Sequence, residues 1–304
     1  MTSKSPQILI VGTGAMASLF AARLSAVGIQ VTMLGAWSEG VQALKNRGVT
    51  LIEGDHSQHS YPVQVVTDPA ECTGVRFALV LVKSWQTHRA AGQLKQCLTQ
   101  DGVALTLQNG VGNRETLVDT LGAPRVALGV TTLGANLQEP GCVVVGGEGT
   151  ISVGIHSHIQ PLLEMLRQAG FNVEDAPDPD ILLWSKLVIN AAINPLTALL
   201  RVTNGELLER PTARALMASL AREAAAVAAA QGMRLPYTDP FATAEEVARR
   251  TASNRSSMLQ DVLRGTPTEI DAICGAIVRA GEQNDMPAPV NHTIWQLVKA
   301  LTPS

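Results

Sequence analysis

Apolar positions along the chain follow two regimes. Ile8-Leu-Ile-Val11, Val31-Thr-Met-Leu34, Phe77-Ala-Leu-Val-Leu-Val82 and Val103-Ala-Leu-Thr-Leu107 are short, nearly uninterrupted apolar runs. Such runs predict strands covered on both faces, as in a parallel sheet. Helical periodicity separates them. Val126–Thr131 continues the series. Cys142–Val145 and Thr150–Val153 read as a hairpin at the sheet edge, followed by a helix near Ile159–Ala169 and the strand Phe171–Glu174. Ala176-Pro-Asp-Pro-Asp180 is the strongest linker signal, because two prolines with turn-forming acids break either period. Beyond it strand runs stop. Helices are predicted over 180–194, 211–231, 240–264, 267–284 and 289–301. The expected organisation is a sheet domain over residues 1–177 and an all-helical domain over residues 178–304.

The turn after the first strand adds chemistry. Ile8–Val11 runs directly into Gly12-Thr13-Gly14-Ala15-Met16-Ala17, then a helix to about Ala26 closed by Gly28, then the second strand. Strand, Gly-x-Gly-x-x-Ala, helix, strand is the context in which a dinucleotide diphosphate rests on a helix N-terminus. Gly12 permits the tight turn, Gly14 lets the backbone approach the phosphates, and Ala17 keeps helix and strand close. The fold class is therefore α/β: a Rossmann-type parallel-sheet domain ahead of the helical one. The second strand ends at Gly35-Ala36-Trp37-Ser38. It offers neither the acid that binds a ribose 2′-OH nor the Arg that receives a 2′-phosphate; Lys45 or Arg47 further on are candidate replacements.

Composition narrows the classes. The chain has 304 residues, 46% apolar and 16% charged, with a net charge of −3 and no basic cluster. That balance buries a sizeable core and argues against nucleic acid or an anionic membrane surface as partner. Cys72, Cys97, Cys142 and Cys274 are scattered without metal-ligand spacing. They read as reduced thiols of a cytoplasmic protein, with no metal site. The Ala/Leu-rich helix at about Thr212–Gln231 is interrupted by Arg214, Arg222 and Glu223, so it is not expected to span a membrane. A strand beginning by Ile8 leaves no room for a signal peptide.

The densest candidate chemistry lies in the run from Asp180 to Thr197. On a helix, Lys186, Asn190 and Asn194 stand at i, i+4 and i+8 on one face, among apolar turns. A cation and two amides there need partners, since an unpaired buried amide costs roughly 1–3 kcal/mol. A polar ligand is one such partner. The alternative is that Lys186 reaches solvent along its stem and the amides bond nearby backbone. Lys83 and Asn109 follow the third and fourth strands, at the carboxyl ends where ligands gather in open α/β sheets, or else they are a solvated strand end and a plain turn. Thr266-Pro-Thr-Glu269 has the form of a capping box, with Glu269 at its third position.

Together these segments resemble the ketopantoate reductase (2-dehydropantoate 2-reductase) family over nearly the whole chain. The matching stretches are Gly12–Ala17, Val82-Lys-Ser-Trp-Gln86, Gln108-Asn-Gly-Val-Gly112, Lys186–Ala198, Asn204-Gly-Glu-Leu207, Ser256-Ser-Met-Leu-Gln-Asp261 and Thr268-Glu-Ile-Asp271. The resemblance implies NADPH-dependent reduction of 2-dehydropantoate, a small 2-oxo acid, to (R)-pantoate, on the route to pantothenate and coenzyme A. It implies Lys186 as general acid and Glu269 as a residue that contacts the cofactor and orients the lysine. Lys83, Asn109 and Ala135 are implied as cofactor contacts. Asn190, Asn194, Asn204, Asn254 and Ser257 are implied as substrate contacts, with Ser257 on the carboxylate. Ala36 departs from the pattern, which carries Arg there. A relative acting on another small 2-oxo acid has the same catalytic set; a non-catalytic dinucleotide sensor need not keep Lys186, Asn190, Asn194 and Glu269 together. The helical domain is compatible with a homodimer.

Overall fold

The structure is a computed structural model and describes residues 7–301. The chain divides into two compact units at Pro179/Asp180. Two short loops of the first half, Lys83–Trp85 and Asn109–Gly112, belong to the second unit.

In the first unit the strands are β1 (Gln7–Val11), β2 (Gln30–Leu34), β3 (Val49–Ile52), β4 (Gln58–Tyr61), β5 (Gln64–Val66), β6 (Val75–Val80), β7 (Leu98–Thr106), β8 (Val126–Thr131), β9 (Gly134–Glu139), β10 (Cys142–Gly147), β11 (Thr150–Gly154) and β12 (Asn172–Ala176). Between them lie α1 (Ala15–Ala26), α2 (Ser38–Arg47), α3 (Thr87–Cys97), α4 (Asn113–Leu121) and α5 (Gln160–Gln168). The main sheet has eight strands in the order β12-β11-β8-β7-β6-β1-β2-β5. Alternate side chains of its inner strands enter different cores: Ile8, Ile10, Phe77, Leu79, Val103 and Leu105 on one face, Leu9, Val11, Ala78, Val80 and Ala104 on the other. Two buried faces are why these strands read as continuous apolar runs.

One feature of this unit departs from the sequence reading. The edge is not a hairpin: β11 pairs antiparallel with β8 and parallel with β12, while β10 joins a separate sheet ordered β4-β3-β10-β9. Gly146 and Gly147 let the chain leave one sheet for the other, since a Cβ on Gly146 would stand 3.0 Å from Asn136 Nδ2 and from the Gly134 carbonyl carbon. The structure also places the two candidate cations of α2. Lys45 and Arg47 fall in the last turn of α2, about 10–14 Å along the axis from Ser38 at 1.5 Å per residue. Arg47 is also held by Glu139 at 3.0 Å. Both thus start from the far end of α2 relative to the turn at residues 35–38.

The second unit carries α6 (Pro179–Leu200), α7 (Pro211–Ala230), α8 (Pro240–Arg250), α9 (Ser257–Leu263), α10 (Cys274–Gln283) and α11 (Pro289–Leu301). Pro179 at its first position and Asp180 in its first turn start α6. The helix does not stop at Asn194 but continues through Pro195. Residues 195–198 are all buried, and the Thr197 hydroxyl donates to the Asn194 carbonyl at 2.8 Å. By length and composition α6 would suit a membrane span, yet 67% of its apolar window is buried inside the protein. The expected helix over 240–264 is two helices. Asn204 N–H and Gly205 N–H take the carbonyls of Asn254 and Ala252, each at 3.0 Å, and Ser256 caps a new start by accepting from Leu259 N–H. The expected start at Thr266 is also displaced, since α10 begins at Cys274. All four cysteines are free and buried.

Candidate active site

In the first unit, Gly12 N–H donates to the Leu34 carbonyl at 2.8 Å, bringing the turn back over β2. Gly12 has φ +132°, and a Cβ there would stand 2.9 Å from the Leu81 carbonyl oxygen. Only glycine fits both demands. Gly14 caps α1 with backbone alone, and a Cβ built on it meets nothing within 4 Å. The first turn of α1 contains no acid, so its N–H groups and dipole face open space suited to a diphosphate. Thr13 is buried against Gly35, where any side chain would collide with it. Ala15 and Met16 begin the helix, and Ala17 is fully buried. Ala135 lies on β9 of the small sheet and packs against the core of the first unit.

The second unit assembles a buried charge cluster from segments far apart in sequence. Lys83 donates to Asp261 Oδ2 at 2.6 Å and lies 3.8 Å from Glu269 Oε2. Ser84 N–H donates to Glu269 Oε1 at 3.0 Å, and Asn109 Nδ2 lies 3.5 Å from Glu269 Oε2. The side chains of Asp261 and Glu269 are only 8% and 6% exposed, a burial that charged carboxylates tolerate when paired and hydrogen-bonded. Glu269 therefore does not close a capping box: its oxygens are taken by the two loops after β6 and β7. The Val111 N–H bond to the Ala272 carbonyl, 3.0 Å, knits the second loop to the turn carrying Glu269.

Lys186 completes the set. Burial pushes its pKa from 10.5 down to about 8, against an opposing pull from the Glu269 carboxylate. Lys83 goes the other way. Burial alone would lower it, but Glu269 and Asp261 outweigh that and hold it above the usual lysine value. One lysine is thus locked as a cation while the other, still mostly charged at pH 7, gives up its proton far more readily than an ordinary lysine. This is the contrast expected of a structural charge beside a proton donor.

Asn190 and Asn194 share the Lys186 face of α6. Neither side-chain amide has a hydrogen-bond partner among the described residues, although Asn194 is 9% exposed and Asn190 half-buried. Asn204 is placed otherwise: its Nδ2 donates to Thr251 Oγ1 at 2.9 Å, and its buried Oδ1 is unpaired among the described residues. Asn254 and Ser257 are exposed. Ser256, just before Ser257, is tied to α6 through Thr197 Oγ1 at 2.7 Å. Asp261 carried no role in the sequence reading. Its available signal was its position four residues after Ser257, on the same face of a short helix.

The described residues contain no group of three or more His, Cys, Asp or Glu able to hold a metal. The site offers instead a lysine with a lowered pKa, a second lysine held as a cation, two carboxylates and unpartnered amides. That equipment suits an anionic carbonyl compound and delivery of one proton to its oxygen.

Comparison with known proteins gives a consistent picture. Residues 8–158 match the family described as ketopantoate reductase PanE/ApbA, and residues 181–302 match its C-terminal counterpart. A 2-dehydropantoate 2-reductase of Archaeoglobus fulgidus is 36% identical, the match covering 97% of either chain. Among solved structures, a PanE/ApbA family ketopantoate reductase from Ralstonia eutropha JMP134 has a TM-score of 0.90 at 31% identity, covering 97% of this chain and 98% of the other. D-mandelate dehydrogenase, solved with NADH and anilino(oxo)acetate, has the same TM-score and coverages at 26% identity.

Proposed function

This chain belongs to the ketopantoate reductase family, and from that premise we propose that it reduces the C2 carbonyl of 2-dehydropantoate with Lys186 as general acid. It is an oxidoreductase that uses a nicotinamide dinucleotide. NADPH is the donor that the family pattern implies, and Gly12–Ala17 is the loop that would hold its diphosphate. The bound dinucleotide supplies the hydride; the remaining work falls to the chain's own side chains.

As negative charge grows on the C2 oxygen, the Lys186 ammonium stabilises it and then transfers a proton. A pKa of about 8 keeps the acid mostly protonated at neutral pH yet lowers the cost of giving the proton up. Glu269 opposes the burial-driven fall and so preserves the ammonium. Asn190 and Asn194 supply amides whose hydrogen-bonding capacity the fold leaves unused, suited to the substrate's carbonyl and hydroxyl groups. Ser257 is the proposed carboxylate contact and Asn254 its neighbour. Lys83 and Asn109 are proposed cofactor contacts whose positions Glu269 and Asp261 fix. Asn204 is proposed to act on the substrate with its unpaired Oδ1, its amide nitrogen holding the 251–254 turn.

The observation that carries this reading is Lys186, with its lowered pKa, on one helix face with two unpartnered amides. Absorbance decay of the reduced coenzyme with purified protein and 2-dehydropantoate tests it. Lys186→Ala is expected to lose on the order of 10²–10⁴ in kcat; turnover near wild type would remove Lys186 from the role. A second reading, another small 2-oxo acid as substrate, is supported by the likeness to D-mandelate dehydrogenase. A panel of 2-oxo acids in the same assay separates the two.

A further inference from the structure

We infer that the adenosine end of the dinucleotide site is built for an unphosphorylated ribose, so that this chain uses NADH at least as well as NADPH. The inference rests on the proposed function, which makes Gly12–Ala17 a dinucleotide loop. It draws on the three neighbouring strand ends beside that loop.

Strands β1, β2 and β5 are adjacent and parallel, with Leu34 opposite Val66 and Val11 opposite Leu34. Their carboxyl ends therefore lie side by side. Gly35 N–H donates to the Val66 carbonyl at 3.2 Å, and Thr13 is pressed against Gly35. The chain leaving β1 runs Gly12 to Ala22 without a charged residue. The chain leaving β2, residues 35–44, contains Glu39 and no Lys, Arg or His; the chain leaving β5, residues 67–72, contains Asp68 and Glu71 and again no cation. Glu39 is exposed, and hydrogen bonds from its own backbone and Ser38 hold its carboxyl below the usual range, so it is a carboxylate at neutral pH.

The nearest cations along these segments stand at the far ends of their helices. Arg23 lies in the last turn of α1, bonded to Glu148 at 2.7 Å and stacked over Phe171. Arg47 is bound to Glu139, and Lys45 stands about 10 Å down the α2 axis from Ser38. A ribose 2′-phosphate brings about −1.5 to −2 charges at pH 7. On these three segments it would meet acidic residues and no compensating cation, whereas an uncharged 2′-hydroxyl meets no such charge repulsion. Trp37, 40% exposed and folded over Gly40, fills space at the same turn with an uncharged ring.

The test is direct titration of wild-type protein with NADH and with NADPH, following nicotinamide fluorescence, together with kcat/KM for both coenzymes. Ala36 is exposed, so Ala36→Arg adds a guanidinium without disturbing the core. Wild type is expected to bind NADH as tightly as NADPH or more tightly, and Ala36→Arg to raise kcat/KM for NADPH relative to NADH by about tenfold or more. Wild-type preference for NADPH in both measurements overturns the inference and leaves the proposed function standing. An unchanged ratio in Ala36→Arg also overturns it, by placing the ribose elsewhere. Binding of neither coenzyme removes the proposed function itself, and the inference with it.

Discussion

Lys186 and Lys83 differ by their surroundings, and the difference is measurable. Only the ammonium form of Lys186 can act as an acid, so kcat/KM for reduction is expected to be level below about pH 8 and to fall about tenfold per pH unit above it. Glu269 raises the Lys186 pKa; Glu269→Gln should therefore move the falling limb to lower pH, which a pH–rate profile would show. The same depression has a stability cost. Between about pH 8 and 10.5 the unfolded chain holds a proton on Lys186 that the folded chain has released, so this group's contribution to stability rises with pH across that window. Lys186→Met should accordingly be inactive and more stable at neutral pH, by about 1–3 kcal/mol in urea denaturation. Asp261 is expected to act through Lys83. Asp261→Asn should raise KM for the coenzyme more than it lowers kcat, and an equal loss of both would instead mark a general disturbance of α9.

At the scale of elements, the site depends on turns that only particular residues permit. Gly110 has φ +85°, and a Cβ there would stand 2.5 Å from the Ala272 carbonyl oxygen. Gly110→Ala must break the approach of the 109–112 loop to the Glu269 turn; it should cost at least 1–3 kcal/mol and displace Asn109. A thermal melt and coenzyme titration would show both losses. The glycine loop and the inner strands were legible in sequence because each announces itself locally, by doubly buried apolar runs or by a glycine pattern between two strands. The small sheet was not: β4 is Gln-His-Ser-Tyr, mostly exposed, with no apolar face to signal a strand. Thr266–Glu269 satisfied the composition of a helix start, but the Glu269 carboxylate found stronger partners in a backbone N–H, an amide and a cation brought from distant segments. Tertiary bonding overrode the local signal, as it did where Asn204 and Gly205 divided the helix expected over 240–264.

For the molecule as a whole, the division at Pro179/Asp180 is simple in sequence and less so in space, because residues 83–85 and 109–112 belong with the helical unit. A fragment beginning at Asp180 would retain Asp261 and Glu269 but lack Lys83, Ser84 and Asn109. Breaking a buried pair by removing one partner costs about 3–5 kcal/mol, so this fragment is expected to be far less stable than the same unit in the full chain. Denaturant melts of the two would test it. Sequence motifs and a family resemblance identified most of the cluster's members, since Lys186, Glu269, Lys83 and Asn109 stand in distinctive stretches. They did not reveal that Asp261 closes an ion pair across 178 positions of chain, because no local spacing encodes that contact.

The depressed lysine also makes the protein chemically vulnerable at one point. At pH 7 about a tenth of Lys186 side chains would be free amine, against a few in ten thousand for an ordinary lysine. A free amine is a nucleophile, and carbonyl compounds are what this face of α6 is proposed to receive. Small aldehydes followed by borohydride should therefore tag Lys186 ahead of Lys45, Lys95 and Lys299. Lys83, held as a cation by two carboxylates, should be spared, leaving a covalent imprint of which amine the fold keeps poised.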